Sequence, residues 1–98
     1  MKRWEKLYKA LANLSRLSII RLLSDGEERT VTDIAAHIHV LMSGTSRHLS
    51  VLENVRIIES VGKETHVFYY LNPKMPRDAE KVVRHFLVGE AFHDFAKS

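Results

Sequence analysis

A dense group of hydrogen-bonding side chains in this 98-residue chain is "SGTSRH", Ser43 to His48. Arg47 can fork onto a phosphate or onto the O6/N7 edge of guanine, and His48 beside it is a second donor. Ser43, Gly44 and Ser46 are small enough to let a backbone approach its partner, and Thr45 adds another hydroxyl. The pattern then turns apolar at Leu49, Val51 and Leu52. A helix that starts with short polar donors and anchors itself behind them suits a surface with hydrogen-bonding edges, such as the major groove of duplex DNA. Enzymatic signatures are missing. "SDGE" and "VGKE" each hold one glycine, where a phosphate-cradling loop needs several at set spacing, and Ser, His and Asp occur without the local pattern of an activated nucleophile. No enzyme is expected.

Hydrophobic periodicity supplies the elements that must position this helix. Trp4, Leu7, Tyr8 and Leu11 recur at three and four residues and predict a first amphipathic helix. Asn13 or Ser15 can cap a second, with Leu17, Ile20 and Leu23 facing inward, stopped at "SDGE" where Gly26 can turn left-handed. Thr30 followed by Asp33 has the form of a capping box for a third helix whose buried stripe is Val31, Ile34, Ala35 and Ile38. A short break around Val40–Met42 leads to the fourth, the donor-bearing helix. "RIIESV" and "HVFYYL" then flank "GKET" as a β-hairpin. A final helix from Asp78 to about Phe95 carries Ala79, Val82, Val83, Phe86 and Leu87 on one stripe, resuming at Ala91, Phe92 and Phe95.

Helix, short turn, helix and hairpin is the order of a winged helix-turn-helix. The expected fold class is therefore mainly α with a small β-hairpin, dimerising through its terminal helices. One domain fills residues 1–98, with dimerisation helices at 1–12 and 77–97, the helix-turn-helix at 30–56 and the wing at 57–71. The apolar surplus of the last helix predicts a homodimer seam that includes Val82, Val83, Phe86, Leu87, Phe92 and Phe95. Lys63, Thr65 and His66 stand where a wing would meet phosphate or the minor groove.

Composition sets the outer bounds. A chain this short holds one domain with a small core. Its net charge is +3, distributed as +5 over residues 1–24, −3 over 25–40, +1 over 41–76 and zero over 77–98. This balance favours a polyanion only weakly. No apolar run approaches the roughly 20 residues that span a bilayer. With no signal-like segment and no cysteine, a cytoplasmic protein is expected, without disulfides or thiolate ligands.

The runs "LANLSRLSIIRLL" (Leu11–Leu23), "SRHLSVLENVRIIES" (Ser46–Ser60) and "HVFYYL" (His66–Leu71) together resemble the ArsR family of dimeric winged helix-turn-helix repressors, over about Tyr8 to Leu71. The resemblance implies a transcriptional repressor whose first and last helices form the dimer, which brings Trp4, Leu7, Tyr8 and Leu11 into the seam. It also implies that Met42 stands where the family often has a base-reading glutamine, since "LMS" replaces the usual Ser-Gln-Ser. Many relatives release DNA on binding metal. One family site uses Cys-Val-Cys at the start of the third helix, where this chain has Thr30-Val31-Thr32, so thiophilic ions are excluded there. A second lies on the last helix, where Asp78, Glu80, Glu90 and His93 are the candidate ligands for zinc or nickel. The first of its residue pairs lacks a His, and the spacing is one residue short.

The function expected is a homodimeric, sequence-specific DNA-binding transcriptional repressor on an imperfectly palindromic operator, needing no cofactor. Its DNA contacts would be Met42, Ser43, Thr45, Ser46, Arg47, His48, Lys63, Thr65 and His66. Two alternatives stay open: a winged-helix module that binds protein and has no DNA affinity, and a zinc- or nickel-responsive repressor using the last helix.

Overall fold

A computed structural model describes the backbone of residues 2–97 and the side chains of residues 2–89. The chain runs α1 (Lys2–Leu11), α2 (Leu14–Leu23), β1 (Arg29–Thr30), α3 (Val31–Ile38), α4 (Met42–Asn54), β2 (Ile58–Lys63), β3 (His66–Leu71) and α5 (Arg77–Lys97). This is the winged helix-turn-helix order, mainly helical with a small antiparallel sheet. The sheet has three strands in the order β1-β3-β2, not the two of the predicted hairpin. β1 is only two residues long, Arg29 opposite Tyr69 and Thr30 opposite Phe68. Two residues carry no alternation to read. They become a strand because β3 offers them an open edge.

Local chemistry sets the element boundaries. Asn13 caps α2, its Oδ1 accepting from the Arg16 amide at 3.1 Å. Thr30 caps α3 in the same way, Oγ1 accepting from the Asp33 amide at 3.2 Å. Each satisfies an amide that a helix start leaves bare. Gly26 has φ +82 just beyond α2, a conformation that costs glycine nothing. α3 ends on a left-handed His39 whose amide returns to the Ala35 carbonyl, which makes the tight turn into α4.

The core joins every helix to the base of the wing: Leu7, Ala10, Ile19, Ile20, Leu23, Ile34, Leu49, Leu52, Ile57, Ile58, Ala79 and Val83 are all buried. On α2 the inward residues are Ile19, Ile20 and Leu23, while Leu17, expected inside, packs only at the edge. Two polar staples hold the frame. The Arg3 guanidinium donates to both Asp78 carboxylate oxygens, at 3.0 and 3.1 Å, and to the Val55 carbonyl at 3.0 Å, tying α1 to the start of α5 and the end of α4. Asn72, buried, donates from Nδ2 to the Arg56 carbonyl at 2.9 Å and accepts from the Lys74 amide at 2.9 Å. That locks the exit of β3 to the end of α4.

The predicted dimer seam needs correction at three residues. Leu7 is 0% exposed, Leu11 and Val83 nearly so, because they face the core of their own chain. What α1 leaves outside is Trp4 and Tyr8, 44% and 55% exposed, with rings stacked 5.7 Å apart. Val82, Phe86 and Leu87 are half-buried and Val88 is exposed. Phe92 and Phe95 lie outside the described side chains. No helix among the described residues is long and apolar enough to cross a membrane.

Candidate nucleic-acid interface

α4 begins at Met42 and keeps one face for the core. Thr45, Leu49 and Leu52, at i, i+4 and i+7, are each 0% exposed. The opposite face carries Ser43, Ser46, Arg47, Ser50 and Asn54, all exposed. Leu41 occupies the N-cap position and provides no side-chain acceptor, so the first-turn amides of α4 have no cap. Leu41 and Met42 are themselves exposed, at 81% and 48%.

The structure revises four of the residues expected at this surface. Thr45 cannot reach a partner: it is buried, and its Oγ1 finds no hydrogen bond among the described residues. One residue along a helix turns a side chain by about 100°, which separates buried Thr45 from exposed Ser46. Gly44 does not serve an approaching partner either. A Cβ there would sit 3.1 Å from Val40 Cγ1, so glycine lets the first turn of α4 pack against the helix-turn-helix turn. His48 is half-buried, its Nδ1 3.0 Å from Arg16 Nη1. Lys63 is not a free cation at the wing tip. Its Nζ is 2.6 Å from Glu28 Oε1 and 5.8 Å from the Phe68 ring centroid. Both partners of that pair are partly exposed, a setting in which an ion pair holds with less than about 1 kcal/mol.

Arg16 was not legible as part of this surface. Its Nε donates to the Ala10 carbonyl at 2.6 Å and its Nη2 to the Lys9 carbonyl at 2.9 Å, which fixes the guanidinium against the end of α1. Arginine has donors only, so the third contact makes His48 Nδ1 the acceptor. The His48 proton is then on Nε2, leaving one N–H to offer outward. Partial burial, then the Arg16 and Arg47 charges, hold the imidazole below its usual pKa and keep it neutral. Ser50 and Asn54 were missed as well, although their spacing of three and seven from Arg47 already places them on its face.

The wing itself is regular. β2 and β3 pair from Ile58 opposite Leu71 to Lys63 opposite His66, so Gly62 and Lys63 belong to the strand, not to the predicted loop. The turn is Glu64-Thr65, and the left-handed residue is Glu64 at φ 57. Thr65 and His66 are exposed at the tip, Oγ1 and Nδ1 3.2 Å apart. β2 also braces α4 from the side through the Ser60 hydroxyl, which donates to Glu53 Oε2 at 2.9 Å.

The candidate metal ligands on α5 are not gathered. Asp78 is held by Arg3, whose hydrogen bonds push its carboxyl below the usual carboxylate range. Glu80 pairs with Arg84 at 2.8 Å. Glu90 and His93 lie outside the described side chains. Among the described residues no three His, Asp or Glu come together as a metal site.

Residues 14–60 match the family model described as bacterial regulatory protein, arsR family. The chain is 32% identical over 78 residues to the arsenical resistance operon repressor of Escherichia coli (strain K12), covering 80% of this chain and 67% of the relative. Among solved structures it is similar to a homodimeric winged helix-turn-helix DNA-binding domain from Mycobacterium bovis, a possible ArsR-family transcriptional regulator. That likeness has a TM-score of 0.74 and 29% identity, over 95% of this chain and 80% of the other. Reduced HlyU from Vibrio cholerae N16961 superimposes with a TM-score of 0.69 at 25% identity, over 85% and 83% of the two chains. Matched in sequence through the helix-turn-helix and in shape through the wing, the chain belongs to the arsR family of bacterial regulatory proteins.

Proposed function

We propose that the protein is a homodimeric transcriptional repressor that reads duplex DNA with the exposed face of α4. One observation carries the reading: Ser43, Ser46, Arg47 and Ser50 stand clear of the fold while Thr45, Leu49 and Leu52 on the opposite face are buried. That combination gives a rigid helix with donors on its free side. Arg47 forks onto guanine or phosphate, His48 offers Nε2–H, and the uncapped amides at the head of α4 suit a phosphate oxygen. Met42 reaches a thymine methyl. Thr65 and His66 at the wing tip, with Lys63 once it leaves Glu28, meet the flanking backbone. The stacked Trp4 and Tyr8, with Val82, Phe86, Leu87 and Val88, support a two-fold partner across the terminal helices. Two such α4 helices would enter major grooves about 34 Å apart on an imperfect palindrome. The chain has no cysteine, so the reading includes no thiolate sensing of soft metals.

The test is fluorescence anisotropy with a duplex selected from a random pool. Affinity falls as salt rises, and Arg47→Ala costs about 1–3 kcal/mol. Duplex affinity that Arg47→Ala leaves intact removes the base-reading role. The exposed apolar pair Leu41 and Met42 favours a second reading, a winged-helix module docking on a protein. Wild-type protein showing no salt-dependent binding to any duplex would leave that reading in place of the first.

A further inference from the structure

Between α1 and α4 runs an open groove of about 660 Å³, lined by Lys6, Lys9, Ala10, Arg16, Val51, Asn54 and Val55. Three cations and no acid border it. Among the described residues, neither Lys6, Lys9 nor Arg16 is paired with a carboxylate. Like charges gathered at one groove repel one another, an arrangement that a polyanion relieves.

The position of the groove says which polyanion. A helix seated in a major groove about 12 Å wide has a phosphate strand along each side. One flank of α4 is taken by β2, through the Ser60–Glu53 hydrogen bond. The other flank is this groove, which meets the Arg47 face at Asn54 and at Val51, one turn on from Arg47. Arg16 joins the two, since three of its five N–H donors hold the α1 carbonyls and His48 and two remain for an acceptor in the groove.

We infer that the α1–α4 groove seats the phosphodiester backbone of the duplex that α4 reads, with Lys6, Lys9 and Arg16 as the phosphate-binding groups. The short floor residues Ala10 and Val51 leave room for the sugar edge, and the Asn54 amide is a neutral donor at the rim. These contacts set affinity and register without adding sequence preference. The inference rests on the DNA-reading proposal and extends it to α1.

The slope of log affinity against log salt separates the possibilities. Wild type is compared with Lys6→Gln/Lys9→Gln and with Lys74→Gln/Lys81→Gln, two exposed lysines that do not line the groove. Glutamine keeps most of the stem and removes only the charge. The groove variant should bind with a slope shallower by about 1.8 per chain, two phosphates at roughly 0.9 each, and the control should keep the wild-type slope. A groove variant with the wild-type slope overturns the inference while leaving α4 as the reader. A wild type without salt-dependent duplex binding overturns both. Heat from decanoate binding that wild type gives and the groove variant lacks, with the slope unchanged, would assign the groove to a small amphiphilic anion instead.

Discussion

Replacing Thr45 with valine should make the protein more stable and leave its DNA affinity alone. Thr45 is 0% exposed on the core face of α4, and its hydroxyl has no hydrogen-bond partner among the described residues. A hydroxyl buried in that state carries a desolvation penalty of roughly 1–3 kcal/mol. Valine has nearly the same shape and the same branched stiffness in a helix, so the exchange removes the penalty without leaving a void. The expected gain is about 1–2 kcal/mol, or a rise of about 4–8 °C in Tm for each kcal/mol in a domain of this size. Urea unfolding at one fixed chain concentration measures it, because the proposed subunit association would also contribute to apparent stability. Thr45→Ser is the companion variant: it keeps the hydroxyl, loses a methyl, and should cost about 1 kcal/mol. A Thr45→Val protein destabilised by 1 kcal/mol or more would show that the hydroxyl is satisfied. A change beyond about threefold in duplex affinity would show that Thr45 touches DNA.

Three further outcomes are expected. Glu64→Gly relieves a left-handed residue at the wing turn and should stabilise by about 0.5–1 kcal/mol, seen as a higher urea midpoint; a lower midpoint counts against strain at φ 57. Asn72→Ala bares the Arg56 carbonyl at the junction of α4 and the wing, and should cost about 1–3 kcal/mol by the same assay; a loss within 0.5 kcal/mol, on the order of a surface substitution, would deny it that role. His48 and Asp78 both have depressed pKa values, so the unfolded chain takes up their protons first and stability falls as pH falls. The His48 share is whole above 6.5 and is lost as pH drops through its lowered value; the Asp78 share is whole above 3.8 and is lost on further acidification. In unfolding measured across pH, His48→Gln should flatten the upper window. Asp78→Asn should reduce the lower one, leaving there the contribution of Asp25, which its hydrogen bond from the Glu27 amide holds down. Curves that superimpose on wild type would refute either assignment.

Some features were legible because their causes are local. Thr30 and Asp33, or Asn13 and Arg16, are three residues apart, and a helix cap needs nothing beyond that turn. Gly26 likewise announces its own backbone. The stripe on α5 as far as Leu87 follows from the helical period, as does the burial of Leu49 and Leu52. Resemblance in the "SRHLSVL" run pointed to the family that the comparisons show. What stayed hidden had partners far along the chain. Arg16 meets His48 across 32 residues, and Lys63 meets Glu28 across 35. β1 exists only because β3 lies beside it.

The amino-acid order by itself determined that there would be a helix-turn-helix ahead of a hairpin, which helix would carry the donors, and that no thiolate chemistry was available. Periodicity, caps and composition act over a turn or two and survive being read one residue at a time. Tertiary structure alone decided which donors are free. It sank Thr45 into the core, committed Asp78 to Arg3, folded Lys63 back onto Glu28, and turned Leu7 inward while leaving Trp4 and Tyr8 outside. Those outcomes depend on what packs against each side chain, and contacts between distant segments are set only when the whole core closes.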